Sequence, residues 1–193
     1  MITPSPERVP QRTTRRPTPS IETERLSLTP LRASDLDAII AVYGDPQSAR
    51  MTHAIPHPLT REDAEKLLGK MMATDRTHWA IRVEDETLVG VISLKKTHCG
   101  KPAGLDCFGP NLSVFIAPAY QGRGYGLEAI DGLLKWCKKR RLHKVVHAAH
   151  FADNEASGRA LIAADFLYTG RRTMETSMAR DGAHQALHMI RIL

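Results

Sequence analysis

The sequence has few aromatic residues, few cysteines and no long apolar run. Phe, Trp and Tyr together make up 5% of the 193 residues. No apolar stretch approaches the roughly 18 residues that a membrane-spanning helix needs. The N-terminus also lacks the apolar core of a secretory signal peptide. These absences predict a cytoplasmic protein that has no membrane partner.

The three cysteines, Cys99, Cys107 and Cys137, are sparse and odd in number. Small secreted domains that depend on disulfides use a dense and usually even set of cysteines. We therefore expect free thiols in a reducing compartment rather than a disulfide framework.

Two basic segments carry much of the formal net charge of +6. The first lies within residues 1–20. The second, at 135–144, falls near the end of a predicted helix, where cations complement the helix dipole. A nucleic-acid surface usually combines basic residues with aromatic side chains or a known reading module, and this second segment contains only Trp136. The pattern disfavours a nucleic-acid partner and is compatible with attraction to anionic substrates.

The chain divides into a tail and one domain. Residues 1–21 are rich in Pro, Thr and Arg and have little to bury, which predicts a disordered basic tail. Residues 22–193 are predicted to form a single domain, as a monomer or a homodimer. Strand–helix–strand alternation in its second half favours parallel crossovers, while hairpins require antiparallel pairs. The predicted fold class is α+β (α/β), with a mixed central sheet and helices on both faces.

Apolar periodicity and turn residues predict the order β-α-α-β-β-β-α-β-α-β-β. A first helix is predicted to begin at Ser34 and to stop at Gly44-Asp45-Pro46, and a second to begin at Thr60. The other predicted segments are strands at 25–31, 79–83, 88–94 and 111–118, a loop at 95–110, a helix at 127–141, a strand at 144–149, a helix at 154–164, and a last hairpin turned at Arg180-Asp181-Gly182.

The segment Gln121-Gly122-Arg123-Gly124-Tyr125-Gly126 joins a predicted strand to a predicted helix. Alternate glycines let the backbone turn tightly and approach a ligand closely. The helix N-terminus that follows offers unpaired N–H groups to a phosphate or pyrophosphate, and Arg123 would add a cation. The spacing fits neither the dinucleotide pattern nor a P-loop. A strand-to-helix turn that needs glycine only for packing is the alternative.

The segment 116–126 resembles the acetyl-CoA signature Q/R-x-x-G-x-G/A of the GNAT superfamily of N-acetyltransferases. A second segment, 153–166, resembles the N-x-x-S-x-R-V-L-E-K-x-G-F motif of that superfamily. Residues 23–28, 79–81 and 142–145 resemble its ribosomal-protein N-terminal (RimJ/RimL-like) acetyltransferase branch. The likeness spans about residues 22–193, with its motifs in the right order.

The resemblance implies a mostly antiparallel sheet with two splayed parallel strands, and acetyl-CoA as the acyl donor. It places the pantetheine in the splay and the pyrophosphate on the N–H groups of the glycine segment. Asn154 and Ser157 match positions that face the pantetheine or thioester, although Asn154 also suits a simple helix N-cap and Ser157 a plain helix surface. The implied cofactor-binding residues are Phe115, Ile116, Gln121, Gly122, Arg123, Gly124, Tyr125, Gly126, Leu127, Asn154 and Ser157.

The expected acid and base of this superfamily are missing from their usual positions. Asn111 stands where relatives often have a glutamate, and Leu161 where many have a tyrosine acid. Ser157 is then the weak residual candidate for protonating the thiolate, and the general base is unknown. Substitute bases are His98 and Asp106 in the predicted loop, together with the histidines His53, His57 and His78.

Three further histidines, His143, His147 and His150, raise the question of a metal site. His147 and His150 would point to opposite faces of a strand, unlike ligands on one helix face, so we predict no metal. The main hypothesis is an N-acetyltransferase that transfers acetyl directly to an amine in a ternary complex. The acceptor is a protein N-terminus, a small amine or an antibiotic. A CoA-binding sensor or structural protein without efficient catalysis is the alternative.

Overall fold

The computed structural model describes residues 18–73, 77–96 and 109–193. These residues contain one eight-stranded sheet of order β1-β2-β3-β4-β5-β6-β8-β7. The strands are β1 (Ile21–Glu22), β2 (Ser27–Thr29), β3 (His78–Arg82), β4 (Leu88–Lys96), β5 (Pro110–Ile116), β6 (Val145–Phe151), β7 (Leu167–Ser177) and β8 (Arg180–Ile192). The helices are α1 (Leu36–Tyr43), α2 (Pro46–Arg50), α3 (Arg61–Ala73), α4 (Tyr125–Lys139) and α5 (Glu155–Ala163). In the described ranges no helix has the length and apolar character to cross a membrane.

The sheet is antiparallel except between β5 and β6, which run parallel. These two strands pair only where Asn111 lies opposite His147 and Leu112 opposite Ala148. Beyond those pairs the strands diverge, while each stays paired with its outer neighbour, β4 or β8. The predicted mixed, mostly antiparallel sheet with a parallel splay is confirmed.

Two apolar layers cover the sheet, one on each face. Along β3, Trp79 and Ile81 pack against α4, whereas Ala80 between them packs against α1 and α3. This alternation is the period of two that a strand imposes on its side chains. Helices lie on both faces, as predicted. Cys137 is a free thiol on the buried face of α4, whereas Cys99 and Cys107 lie outside the described residues.

The start of α1 differs from its prediction. Ala33–Asp35 form a single 3₁₀ turn, and α1 itself begins at Leu36. Asp35, rather than Ser34, carries the polar contacts of this turn: its carboxylate accepts from Arg32 N at 2.7 Å, and both of its oxygens accept from Arg82 Nη2 at 2.9 Å. Both side chains are buried, so this ion pair fixes α1 to the end of β3.

Two other expectations need correction. The described fold begins before residue 22, since Trp79 Nε1 donates to Pro19 O at 2.9 Å and Ile21 is buried in β1. Helix α2 follows the predicted stop directly, because the Asp45 side chain caps it by accepting from Ser48 N at 2.8 Å. Residues 1–17 and most of the predicted loop at 95–110 lie outside the described ranges.

The predicted turn of the last hairpin, Arg180-Asp181-Gly182, is wrong by two residues. Ser177 pairs with Arg180, so Met178 and Ala179 form the turn. The next pair joins Thr176 to Ala183, which leaves Asp181 and Gly182 in an irregularity of β8. Gly182 has φ +72° there. The Asp-Gly signal therefore marks a bulge rather than the turn itself.

Candidate functional site

A cleft of about 610 Å³ lies where β5 and β6 diverge. One wall is the end of β5, at Val114–Ile116, and another is the glycine segment with the first turn of α4. A third wall is formed by 153–157 and the exposed side of α5. Gln47, Ser48 and Met51, at α2, close it from the other face of the sheet. The cleft thus passes through the sheet and reaches both faces.

Glycines make the turn that leads into α4. Gly122 has φ +74° and Gly124 has φ +80°, a region that side-chain-bearing residues rarely adopt. The Gln121 side chain donates to Ile116 O at 2.9 Å and ties the turn to the end of β5. The first helical bond runs from Glu128 N to Gly124 O, at 3.1 Å. The N–H groups of residues 125–127 therefore have no partner within the helix and are available to an anion.

The predicted cofactor-binding residues of this segment line the cleft, with the exception of Arg123. The Arg123 guanidinium instead donates to Ala119 O at 3.0 Å and lies over the Tyr120 ring, 5.3 Å from its centroid. In this conformation it braces its own loop. The positive end of the α4 dipole, rather than the Arg123 side chain, faces the cleft.

Asn154 and Ser157 lie on the opposite wall. The Asn154 side chain caps α5 by accepting from Ser157 N at 3.1 Å, and both residues line the cleft. The N-cap role and the cleft position therefore hold together for Asn154. Phe115 and Ile116, the predicted pantetheine contacts, line the facing wall.

An acid that the sequence analysis missed, Asp153, also lines the cleft. Arg180 Nη1 donates to its carboxylate at 2.6 Å. This hydrogen bond, helped by the charges of Arg180 and His184 against the effect of burial, lowers the pKa of Asp153. The carboxylate is therefore ionised and suited to attracting a cation. Because Asp153 directly precedes Asn154 of the second motif, the sequence could have identified it as a candidate site residue.

Arg180 comes from the far end of the chain and is almost entirely buried, with 5% of its side chain exposed. Its guanidinium stacks on Phe151, 4.1 Å from the ring centroid. Among the described residues, Nε and Nη2 of Arg180 have no hydrogen-bond partner. The Phe151 ring also lies 5.1 Å from the ring of His53, which follows α2. No local sequence signal brings these residues together.

The candidate bases are scattered. His53 is exposed, with Nδ1 3.1 Å from Thr176 O, and His57 is exposed as well. His78 is buried in β3, where burial and then the charge of Lys95 lower its pKa to about 4. His98 and Asp106 lie outside the described residues.

His147 and His150 point to opposite faces of β6, as predicted. His150 Nε2 lies 3.0 Å from the Tyr168 hydroxyl, under α5. His147 lies on the α2 face, where it influences the pKa of His188. His188 is paired with Ala149, just beyond the point of divergence, and its Nε2 lies 2.8 Å from Thr173 Oγ1.

Burial is the main cause that lowers the pKa of His188. The charges of Arg171 and His147 lower it further, against the opposing charge of Glu175. A neutral imidazole therefore lies on the α2 face, next to the small side chain of Ala149. The sequence analysis did not identify His188, because its relation to the cleft depends on the register of β8.

The fold is shared with solved acetyltransferases. The GNAT-family acetyltransferase from Bacillus anthracis superposes with a TM-score of 0.75 at 18% identity, over 90% of this chain and 98% of that one. RimL, the ribosomal L7/L12 alpha-N-protein acetyltransferase solved with coenzyme A, has a TM-score of 0.72 at 16% identity, over 91% and 98%. Spermidine N-acetyltransferase from Vibrio cholerae, solved with CoA and spermine, has a TM-score of 0.68 at 16% identity, over 87% and 95%.

At these identities the structural similarity establishes the fold alone. No curated protein sequence matches the chain significantly. The family profile described as acetyltransferase (GNAT) domain matches residues 25–166, which include the glycine segment, both walls of the cleft and the second motif. The chain therefore belongs to the GNAT family of acetyltransferases.

Proposed function

We propose that the protein is an N-acetyltransferase that moves the acetyl group of acetyl-CoA to an amine by direct transfer in a ternary complex. The observation that carries this proposal is the single cleft that passes through the sheet between β5 and β6. A donor entering past α4 and α5 and an acceptor entering past α2 would meet in it. The donor is acetyl-CoA, as in the acetyltransferase family to which the chain belongs.

The donor would lie between the two long walls of the cleft. Its pyrophosphate would accept from the N–H groups of the glycine segment and of the first turn of α4, from Gln121 to Leu127. Its pantetheine would run along Phe115 and Ile116, whose strand has no neighbour on the cleft side. Asn154 and Ser157 would face it from α5.

In the transfer step the amine nitrogen attacks the thioester carbonyl carbon, and the carbon–sulfur bond breaks. An acceptor that arrives as an ammonium ion loses one proton to a base before the attack and a second as the amide forms, while the departing thiolate gains one, so that one proton in all is released. Asp153 is ionised and would attract the ammonium form of the acceptor. The neutral imidazole of His188, just beyond the point where β5 and β6 diverge, is the proton acceptor we propose. The Ser157 hydroxyl, which lines the cleft, is the proton donor to the thiolate.

The acceptor is proposed only as a class. RimL acts on a protein N-terminus and the Vibrio cholerae enzyme was solved with spermine, so both a peptide α-amine and a polyamine are candidates. The branch of ribosomal-protein acetyltransferases remains a proposal, supported by the motifs at 23–28 and 79–81. The cytoplasmic location, the monomer or homodimer and the lack of a nucleic-acid partner remain predictions.

A CoA-binding protein without efficient catalysis is the second candidate. Asn111 favours it, because this residue adjoins the splay and its amide cannot accept a proton as a glutamate would. A non-catalytic protein of this kind would bind acetyl-CoA as well as an enzyme would, so acetyl-CoA binding alone does not separate the two candidates.

The test combines donor binding with amine-dependent release of free thiol. We expect a micromolar Kd for acetyl-CoA by calorimetry, and thiol release that depends on either spermine or a short peptide with a free α-amine. His188→Gln should lower kcat and leave the Kd of acetyl-CoA unchanged, with His57→Gln as the control at an exposed histidine that does not line the cleft. Tight donor binding without amine-dependent thiol release would favour the second candidate.

A further inference from the structure

The first turn of α4 is held by the segment that connects β1 to β2, through the side chain of Glu128. Thr23 Oγ1 donates to one carboxylate oxygen of Glu128 at 2.6 Å, and the backbone N of Arg25 donates to the same oxygen at 2.7 Å. Arg25 Nε donates to the other oxygen at 2.7 Å. The Glu128 side chain is only 16% exposed. Residues more than 100 positions apart are thereby fixed to each other.

Arg25 also contacts the glycine segment itself. Its Nη1 donates to Arg123 O at 3.1 Å, and its guanidinium carbon lies 5.0 Å from the centroid of the Tyr125 ring. Its Nη2 lies 3.4 Å from the position that a Cβ on Gly124 would occupy. One side chain thus contacts Arg123 and Tyr125, on either side of Gly124, as well as Glu128 in the first turn of the helix.

The charges at this position explain why a cation is needed. A carboxylate in the first turn of a helix suits the helix dipole, but it also repels an anion bound at the same N-terminus. Burial alone raises the pKa of Glu128, yet the hydrogen bonds from Thr23 and Arg25 and the charge of Arg25 leave that pKa below its ordinary value. Glu128 is therefore ionised, and Arg25 supplies the compensating charge beside the phosphate site.

We infer that Arg25 is a positioning residue for the diphosphate of the donor. It holds the turn from Arg123 to Tyr125 in its phosphate-binding shape and neutralises Glu128. This inference rests on the proposed function, because it takes coenzyme A as the ligand of the glycine segment. It adds that the connection between β1 and β2, which is not among the residues that line the cleft, sets the affinity for the donor.

The test is the affinity of Arg25→Gln for two ligands, CoA and pantetheine, since pantetheine lacks the diphosphate. We expect the Kd for CoA to rise roughly tenfold or more, the loss expected for one interaction with a charged partner. The Kd for pantetheine should change by less than about twofold. Arg25→Lys keeps the charge but not the planar pair of contacts, and should fall between the wild type and Arg25→Gln.

Arg32→Gln is the matched control. Arg32 is also exposed, follows β2 and pairs with an acid, Glu86, at 3.2 Å, but it makes no contact with the glycine segment. We expect it to bind CoA as the wild type does. If Arg25→Gln does not fold, Arg25→Lys and the control carry the comparison.

The outcomes separate the inference from the proposed function. A wild type that does not bind CoA contradicts the proposed function. A wild type that binds CoA, with Arg25 variants that bind it equally well, overturns the inference alone. An equal loss of affinity for CoA and pantetheine also overturns it, because Arg25 would then act on the fold in general rather than on the diphosphate site.

Discussion

The two sides of the cleft are built in different ways. The proposed donor side uses backbone groups of two short segments, 121–128 and 154–157, held in shape by glycines and by an N-cap. The proposed acceptor side depends on side chains that come from separate elements: Asp153 before α5, which lines the cleft, its partner Arg180 in β8, and the proposed base His188, also in β8.

This difference explains why the sequence indicates the acyl donor but not the acceptor of the proposed reaction. A backbone site for phosphates requires glycines and a helix start at fixed spacing, so it leaves a local pattern. A side-chain site depends on strand register and on contacts between distant residues, so each protein can change it without changing the fold. The following predictions test this comparison, from the largest expected effect to the smallest.

The largest effect concerns acid stability and the α2 face of the sheet. His78 in β3 is paired across the sheet with Ser93 in β4, and Ser93 is paired with Ser113 in β5, near the point where β5 and β6 diverge. Burial, with the charge of Lys95, lowers the pKa of His78 from 6.5 to about 4. Between these pH values the unfolded chain takes up a proton that the folded chain does not, so stability falls as the pH falls through this window.

The expected loss between pH 7 and pH 4 is about 3 kcal/mol, at 1.36 kcal/mol for each pH unit of pKa difference. The measurement is urea unfolding of the wild type and His78→Gln across that range. The variant should lose much of this slope, whereas a variant at the exposed His53, His53→Gln, should retain it. Equal slopes in the wild type and His78→Gln would contradict the assignment.

The second effect concerns the ion pair at the acceptor side. Asp153→Asn leaves the buried guanidinium of Arg180 without its counter-charge, at a cost of about 2 kcal/mol, reduced because Asp153 is half exposed. Arg180→Met removes the cation together with its two unpartnered nitrogens, Nε and Nη2, and should be neutral or slightly stabilising.

Chemical denaturation measures both variants, and calorimetry with acetyl-CoA sharpens the comparison. Since neither change touches the glycine segment, the Kd of acetyl-CoA should stay within about threefold, while amine-dependent turnover falls for Asp153→Asn. A larger stability loss for Arg180→Met than for Asp153→Asn would contradict the electrostatic explanation.

The third effect uses two glycines with the same backbone angle. Gly124 and Gly170 both have φ +80°, but only Gly124 is in the donor site, and Gly170 has open space around it. Alanine at either position should cost about 1–2 kcal/mol of stability, through left-handed backbone strain. Only Gly124→Ala should also weaken acetyl-CoA binding, by about tenfold or more. Equal affinities of the two variants for acetyl-CoA would contradict the proposal that the glycine segment binds the donor.

The smallest effect separates the two roles of Asn154. Asn154→Ala removes the cap of α5 and should cost about 1 kcal/mol, whereas Asn154→Asp keeps an acceptor for Ser157 N and should cost less. Thermal unfolding measures the cap, and the Kd of acetyl-CoA measures the contact with the donor. Equal stability of the two variants would show that the cap contributes little.

Much of the fold could be predicted, because its strands and helices have regular apolar periods. Helix α2 could also have been found, since Asp45-Pro46 with Ser48 three residues after the cap is a helix start as well as a stop. The turn at Met178 and Ala179 was missed because the Asp-Gly pair nearby is a stronger turn signal.

The donor walls were predictable for the same local reasons, whereas the acceptor side was not. Arg180 and Asp153 are 27 residues apart, and their contact depends on how the β7–β8 hairpin packs on the end of β6. No period or spacing in the sequence encodes that distance. The register of β8 against β6, which brings His188 beside Ala149, also cannot be predicted from the sequence alone.

The divergence of β5 and β6 has a consequence for the resting protein. An eight-stranded sheet has two outer edges, but this one also has two inner edges, because both strands keep their outer neighbours and lose each other after Leu112 and Ala148. Inner edges carry main-chain groups that an extended chain can pair with. We expect amide hydrogen exchange to be fast along them in the free protein and slow once a donor occupies the gap, so that the ligand completes the sheet.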